Sequence, residues 1–323
     1  MRCIVTGAAG FIGSSLSDAL LADGHEVVGI DCFVDYYPRE MKERNLEQAR
    51  AHERFTFVEQ NLLNADLDNL LEGADWIFHQ AAQAGVRASW GGSFSIYTDN
   101  NVLATQMLLE AAKREPASKT LKKFVYASSS SVYGSAEVLP TTESVLPCPV
   151  SPYGVSKLAA EHLASLYDKE FNVPTMSLRY FTVFGPRQRP DMAFHRFIKA
   201  GLNGEPITVY GDGEQSRDFT FIADIVKANM RAAEVDARGE VLNIGGGSRV
   251  TLNETISVIE DVLGRKLNID RQNRQYGDAR HTGADTSRAK QVLDFAPNYP
   301  LKDGLAAEAR WLEAVGSSAA PRK

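Results

Sequence analysis

The stretch from Arg2 to Asp31 constrains this chain most. A short β-rich run, Arg2 to Thr6, passes directly into Gly7-Ala-Ala-Gly10-Phe-Ile-Gly13. A helical pattern follows with Leu16, Ala19 and Leu20 on one face and a terminating Gly24, then a second strand from Glu26 to Ile30 that ends in Asp31. Strand, glycine turn, helix, strand and acid in this order open a Rossmann doubly wound α/β fold. The glycines let a pyrophosphate approach bare backbone amides at a helix N-terminus, where the dipole favours an anion. Asp31 stands where a carboxylate can accept from both hydroxyls of an adenosine ribose. It would repel a 2′-phosphate, and Cys32 and Phe33 offer no arginine in its place, so the expected cofactor is NAD rather than NADP. The spacing is G-x-x-G-x-x-G instead of the usual G-x-G-x-x-G.

The alternation continues. Strands are expected at Phe55–Val58, leading to Asn61 and Leu62 at the adenine edge, and at Trp76–His79, leading to Gln80, Ala81, Ala82 and Gln83. A helix over Asp99–Lys113 and a strand over Lys123–Ala127 come next, the latter running into Ser128, Ser129, Ser130 and Ser131. At the carboxyl end of a parallel strand, ligands sit in sheets of this kind. A helix then carries Tyr153 and Lys157, with Val155, Leu158, Ala159, Leu163 and Leu166 as its inner stripe, and a strand over Thr175–Tyr180 follows. After residue 180 the texture loosens into shorter elements. They are a helix near 192–203, strands at 207–210 and 217–222, a helix near 223–234, a strand at 241–244 and a helix at about 252–263. The expected division is a cofactor domain over 1–180, with some return of chain near 215–245, a smaller α/β substrate-binding domain over 181–315, and a tail over 316–323.

Tyr153 and Lys157, four apart on a helix, share one face. That would put an ammonium beneath a phenol. Moving a phenol from about 10 to roughly 7 takes on the order of 4 kcal/mol of favourable charge interaction. Lysine and the positive ring of an oxidised nicotinamide could supply it together, making Tyr153 a general base while hydride leaves the same carbon. A serine hydroxyl in the 128–131 run could share a proton with that phenol and a substrate alcohol.

The 323 residues carry a formal net charge of −6, which gives no reason to expect nucleic acid binding. No run of eighteen apolar residues exists to span a membrane, and the N-terminus lacks a secretory segment, so the cytoplasm is the expected location. Cys3, Cys32 and Cys148 lack metal spacing and read as reduced structural thiols; no metal is expected.

With these residues in view, the chain resembles the extended short-chain dehydrogenase/reductase family, specifically its nucleotide-sugar 4-epimerases. The motifs are the glycine turn, Asp31, the serines before Val132-Tyr133-Gly134, Tyr153-x-x-x-Lys157, Leu178 to Phe181, Arg217-Asp218 and Gly277-Asp278. The resemblance implies Ser129 as catalytic hydroxyl, Tyr153 as base and Lys157 beneath the nicotinamide. It carries cofactor contacts onto Gly7, Gly10, Phe11, Ile12, Gly13, Asp31, Asn61, Leu62, Gln80, Ala81, Ala82, Gln83, Asn100, Tyr180 and Val183. It carries contacts with a UDP-sugar substrate onto Phe194, Thr208, Tyr210, Arg217 and Asp278. The family's asparagine is Thr182 here, and the arginine expected three before Asp278 is Gln275, with Arg274 adjacent.

The implied reaction is oxidation at C4 to a 4-keto sugar, rotation, and return of hydride to the other face. Related dehydratases carry an aspartate and a glutamate, and decarboxylases a glutamate, where this chain has Ser130 and Ser131. Simple epimerisation is therefore favoured over a dehydratase or a net reductase. Gly185-Pro-Arg187-Gln-Arg189-Pro-Asp-Met-Ala193 and Gly85-Val-Arg87 resemble UDP-glucuronate 4-epimerases. A C6 carboxylate wants a guanidinium fork or several hydroxyl donors. Arg189, Ser130, Ser131 and Thr182 offer both. Solvated or salt-bridged roles for Arg187 and Arg189, and a UDP-glucose/UDP-galactose pair, remain open. The family often dimerises through the 100–113 and 153–170 helices. Met107, Leu108 and Tyr167 lie off the main stripe there and fit either a homodimer or packing within one chain.

Overall fold

The computed structural model describes residues 1–136, 138–273 and 279–318. Seven strands form one parallel sheet. In chain order its first six are β1 (Arg2–Thr6), β2 (Glu26–Asp31), β3 (Phe55–Glu59), β4 (Trp76–His79), β5 (Lys123–Ser129) and β6 (Thr175–Tyr180), and Glu240–Ile244 completes it. Their spatial order runs Glu240–Ile244, β6, β5, β4, β1, β2, β3. The order reverses direction between β1 and β4, the topological switch at which such sheets bind ligands. β4 and β6 are buried along their whole length, and β1, β2 and β5 everywhere but at their ends, because helices cover both faces.

The glycine turn forms where β1 meets α1 (Phe11–Ala22). Gly7 has φ +68°, and a Cβ on Gly13 would stand 2.1 Å from the Gly7 carbonyl oxygen, so only bare backbone fits. After residue 180 the chain builds short pairs away from the main sheet, including Ile207–Tyr210 against Ile269–Gln272 and Arg249–Thr251 against Ser216–Asp218. The stretch expected as one strand over 217–222 divides into Ser216–Asp218 and Thr220–Phe221, with a helix starting at Ile222.

Three further expectations are corrected, and for Leu108 and Tyr167 one of the two open readings is the one found. The 99–113 helix opens with a π-helical stretch, Thr98–Leu103, before regular turns from Ala104 to Lys113. The Pro152–Phe171 helix turns a different face inward: Val155 is 48% and Leu166 49% exposed, while Ser156, Lys157, Ala160, Glu161, Ala164 and Tyr167 are buried. Leu108 and Tyr167 are 0% and 6% exposed and pack within the chain's own core, with Met107 against the same cluster. The last helix, Leu301–Ser318, takes in three residues assigned to the tail. The three cysteines are free thiols.

Candidate active site

The site lies along the carboxyl edge of the sheet, in two adjoining hollows. Ser151 caps the helix Pro152–Phe171 by accepting from the Gly154 amide at 3.1 Å, with proline at the first helical position. Gly154 is required by closeness: a Cβ there would lie 2.6 Å from the Ser131 carbonyl oxygen. The helix can therefore press against the serine run, and Ser129 stands near enough to the Tyr153 phenol to favour its charged form. Ser129 Oγ also accepts from the Ser131 amide at 3.1 Å.

The first hollow is lined by Gly7, Gly10, Phe11, Ile12 and Gly13, by Asp31, Asn61 and Leu62, by Gln80 to Gln83, and by Asn100, Tyr153, Lys157 and Tyr180. Asp31 accepts from the amides of Ala9 (3.1 Å) and Phe33 (2.8 Å), fixing its carboxylate at the wall. Gln80 Nε2 donates to the Tyr180 hydroxyl and to Asn229, at 3.1 and 3.0 Å. Val183 does not share this hollow. Its short strand, Val183–Phe184, sets it in the second.

That second hollow brings together Arg87, Ser129, Ser130, Ser131, Tyr153, Thr182, Arg189, Phe194, Thr208, Tyr210 and Arg217. Arg87 lies 4.8 Å from the centre of the Tyr210 ring, bridging the two sides of the opening. Tyr153 and Arg189 border both hollows. Asp278, with Arg274, Gln275 and Gly277, lies outside the described residues.

The electrostatics depart from the sequence expectation. Burial raises the Tyr153 phenol above its ordinary value, against a lowering by Ser129 and Arg189. The Lys157 ammonium instead stands 4.4 Å from the Tyr126 ring centre, and burial pushes it from 10.5 down to about 7, with Glu161 pulling the other way. Glu161, one turn further along, is paired with Arg179 through bonds of 2.9 and 2.6 Å and accepts from Ser128 at 2.6 Å. Arg179 also donates to the Tyr133 hydroxyl.

Both loop arginines are paired. Arg187 meets Asp18 of α1 at 2.7 Å, and Arg189 holds Asp191 through two bonds. Sequence reasoning missed Lys42, which enters the first hollow from the helix Arg39–Arg50 and donates to the Val34 carbonyl. It also missed Asn101, which joins the Gln83 backbone to Ser156 through bonds of 2.7 to 3.1 Å. The π-helical stretch that turns Asn101 inward had no signal in the sequence; Lys42 was readable only as one of several helical cations.

Residues 3–245 match the family described as "NAD dependent epimerase/dehydratase family". A Bacillus subtilis (strain 168) protein named as an uncharacterized UDP-glucose epimerase, YtcB, is 47% identical over 317 residues, covering 98% of this chain and 99% of that protein. A UDP-glucuronate 4-epimerase of Thermodesulfobacterium geofontis is 36% identical, with 95% of each chain covered. The crystal structure of UDP-glucuronic acid 4-epimerase from Bacillus cereus, in complex with UDP-glucuronic acid and NAD, superposes with a TM-score of 0.93. It is 44% identical and covers 98% of this chain and 100% of its own. On these matches and this geometry, the chain belongs to the NAD dependent epimerase/dehydratase family.

Proposed function

We propose that this protein is an NAD-dependent UDP-sugar 4-epimerase acting most readily on the UDP-glucuronate/UDP-galacturonate pair. The observation that carries the reading is the meeting of Ser129 and Tyr153 where the two hollows join, with Arg189 alongside and only hydroxyls at 130 and 131.

The first hollow suits a dinucleotide. A Cβ on Gly7 would stand 2.8 Å from the Ala81 amide nitrogen, so that wall is kept as bare backbone, and Asp31 presents a fixed carboxylate. Residues 1–180, with the later return to the sheet, would hold it through the glycine turn, Asp31, Asn61, Leu62, Gln80–Gln83, Asn100, Lys157 and Tyr180. When bound it supplies a hydride acceptor and a positive ring. The chain does the rest. Ser129 positions the sugar's O4 against the phenol. Tyr153 takes the O4 proton as C4 becomes a ketone, and gives it back once the keto sugar has turned its other face. Residues 181–315, with Arg87, grip the nucleotide through Thr208, Tyr210, Phe194 and Arg217. Among the described residues, the carboxylates bordering the substrate hollow are Asp191 and Asp212. Neither follows Ser129, so no acid is placed to eliminate water.

A second reading, UDP-glucose/UDP-galactose, is favoured by one observation: the Arg189 fork is already taken by Asp191. Purified protein should interconvert UDP-glucuronate and UDP-galacturonate with no added NAD and no net change in reduced-nicotinamide absorbance. A stoichiometric need for NADH overturns the epimerase. Faster turnover of UDP-glucose overturns the uronate preference.

No described helix is long and apolar enough to cross a membrane, and we place the enzyme in the cytoplasm as a homodimer. The helix Ala104–Lys113 packs beside Pro152–Phe171, and Leu103, Val155 and Leu166 are exposed around them. A second copy of the same helix pair would bury that surface in a four-helix bundle. A V155E/L166E variant should elute as a monomer where the parent is a dimer.

A further inference from the structure

The segment 185–192 reaches from the cofactor side to the substrate hollow and is fixed along its length. The Gly185 amide donates to Glu308 at 2.9 Å, and Arg187 is tied to Asp18 on α1. The Gln188 side chain donates to the Val183 carbonyl at 3.1 Å and accepts from the His195 amide at 3.0 Å. The segment also carries an ion pair between two of its own side chains, the Arg189–Asp191 fork. Arg189 gives Nε to Asp191 Oδ1 at 3.0 Å and Nη2 to Oδ2 at 3.1 Å. The Tyr36 hydroxyl, from the loop after β2, donates to the same Oδ2 at 3.2 Å.

We propose that Asp191 is the specificity-determining residue of this site: its carboxylate holds the guanidinium fork that a substrate carboxylate needs, so that uronates must displace it and neutral hexoses need not. The inference rests on the epimerase reading above and deepens it. A planar guanidinium offers two parallel N–H bonds to one carboxylate at a time along each edge, and Asp191 takes the Nε edge in the same bidentate manner a uronate would use. The two carboxylates would also repel one another across a partly buried hollow. Arg189 lies near enough to Tyr153 to act on its phenol, which places the contested fork next to the reacting end of the sugar. Tyr36 steadies the waiting Asp191 from the cofactor side, so an arriving uronate breaks that hydroxyl bond as well. Neutral hexoses leave the fork closed and the loop as it stands.

The test compares kcat/KM for UDP-glucuronate and UDP-glucose in wild type, D191N and D191E. An exposed to half-exposed ion pair of this kind contributes up to about a fivefold equilibrium factor. In D191N the UDP-glucuronate/UDP-glucose ratio should therefore rise about fivefold, through a lower KM for the uronate. D191E keeps the charge and should not raise the ratio. D191S removes the charge with a smaller side chain and gives the same reading if D191N does not fold. A ratio that stays level or falls in the neutral variants overturns the role of Asp191, whatever the wild type does. A wild type silent on UDP-glucuronate whose D191N variant turns it over overturns the uronate preference and upholds Asp191 as the residue that excludes it.

Discussion

Replacing Lys157 with methionine tests the least expected feature of the site, a catalytic-face lysine whose charge the fold opposes. The side chain is buried against the Tyr126 ring, and burial lowers its ammonium from 10.5 to about 7 despite Glu161 one turn away. That gap corresponds to about 5 kcal/mol between the two protonation states. In the unfolded chain the lysine keeps its proton up to 10.5, whereas in the folded chain it releases it near 7. Between those values unfolding takes up a proton, so stability must rise with pH. Below pH 7 the full cost of the buried ammonium is present, and above 10.5 it has gone. Urea unfolding of nucleotide-free wild type and K157M from pH 6.5 to 9.5 isolates the effect from every other titrating group. Wild type should gain on K157M by about 1.4 kcal/mol per pH unit above 7. A difference that stays flat over this range means the lysine holds its proton throughout, and the reasoning fails. A kcat that falls more than KM rises in K157M would show the same ammonium serving the phenol once substrate and nucleotide are in place.

Glu308 should show the opposite slope. Burial raises its carboxyl to about 8, so the folded state keeps a proton the unfolded state has lost, and this contribution, full below about pH 4.5, is lost as pH rises to 8. E308Q should flatten that decline and be the more stable protein above pH 8, measured by urea midpoints; an unchanged slope refutes it. E161Q leaves the buried Arg179 guanidinium without its carboxylate and should cost about 3–5 kcal/mol; a loss below about 1 kcal/mol at neutral pH, on the same urea assay, would mean that Tyr133 alone suffices for Arg179. G13A forces a Cβ to within 2.1 Å of the Gly7 carbonyl oxygen. It should yield protein with no nucleotide released on denaturation, and stoichiometric NAD in that release would refute the cradle.

Much of the cofactor side was legible because its signals are local. β1, β3, β4 and β5 are short runs rich in apolar residues and stopped by glycine, glutamine or serine, and bare backbone at Gly7 and Gly13 follows from chemistry that only glycine allows. What was not legible depends on pairing across the chain. Arg187 and Arg189 read equally well as ligands or as ion pairs until Asp18 and Asp191 were brought beside them. Arg179 belonged to a motif with no visible partner until the fold set Glu161 beside it. Lys42 reaches the hollow because its helix packs against α1 and β3, a tertiary fact with no counterpart in spacing.

The catalytic helix shows why such misses cluster at a functional site. Apolar spacing put Val155, Leu158, Ala159, Leu163 and Leu166 inside, yet the candidate pair Tyr153 and Lys157, both lining the first hollow, and Glu161 after them repeat every four residues and share one face. Only one face can point there. Small residues, Gly154, Ala160 and Ala164, fill the space between the polar ones and let the helix lie close to the serine run. Chemistry has claimed the inner face, so the apolar stripe is displaced outward. The misread stripe and the exposed Val155 and Leu166 are thus one observation. A helix whose buried face carries Lys157 and Glu161 leaves Val155 and Leu166 for another surface, the one that the proposed homodimer would bury.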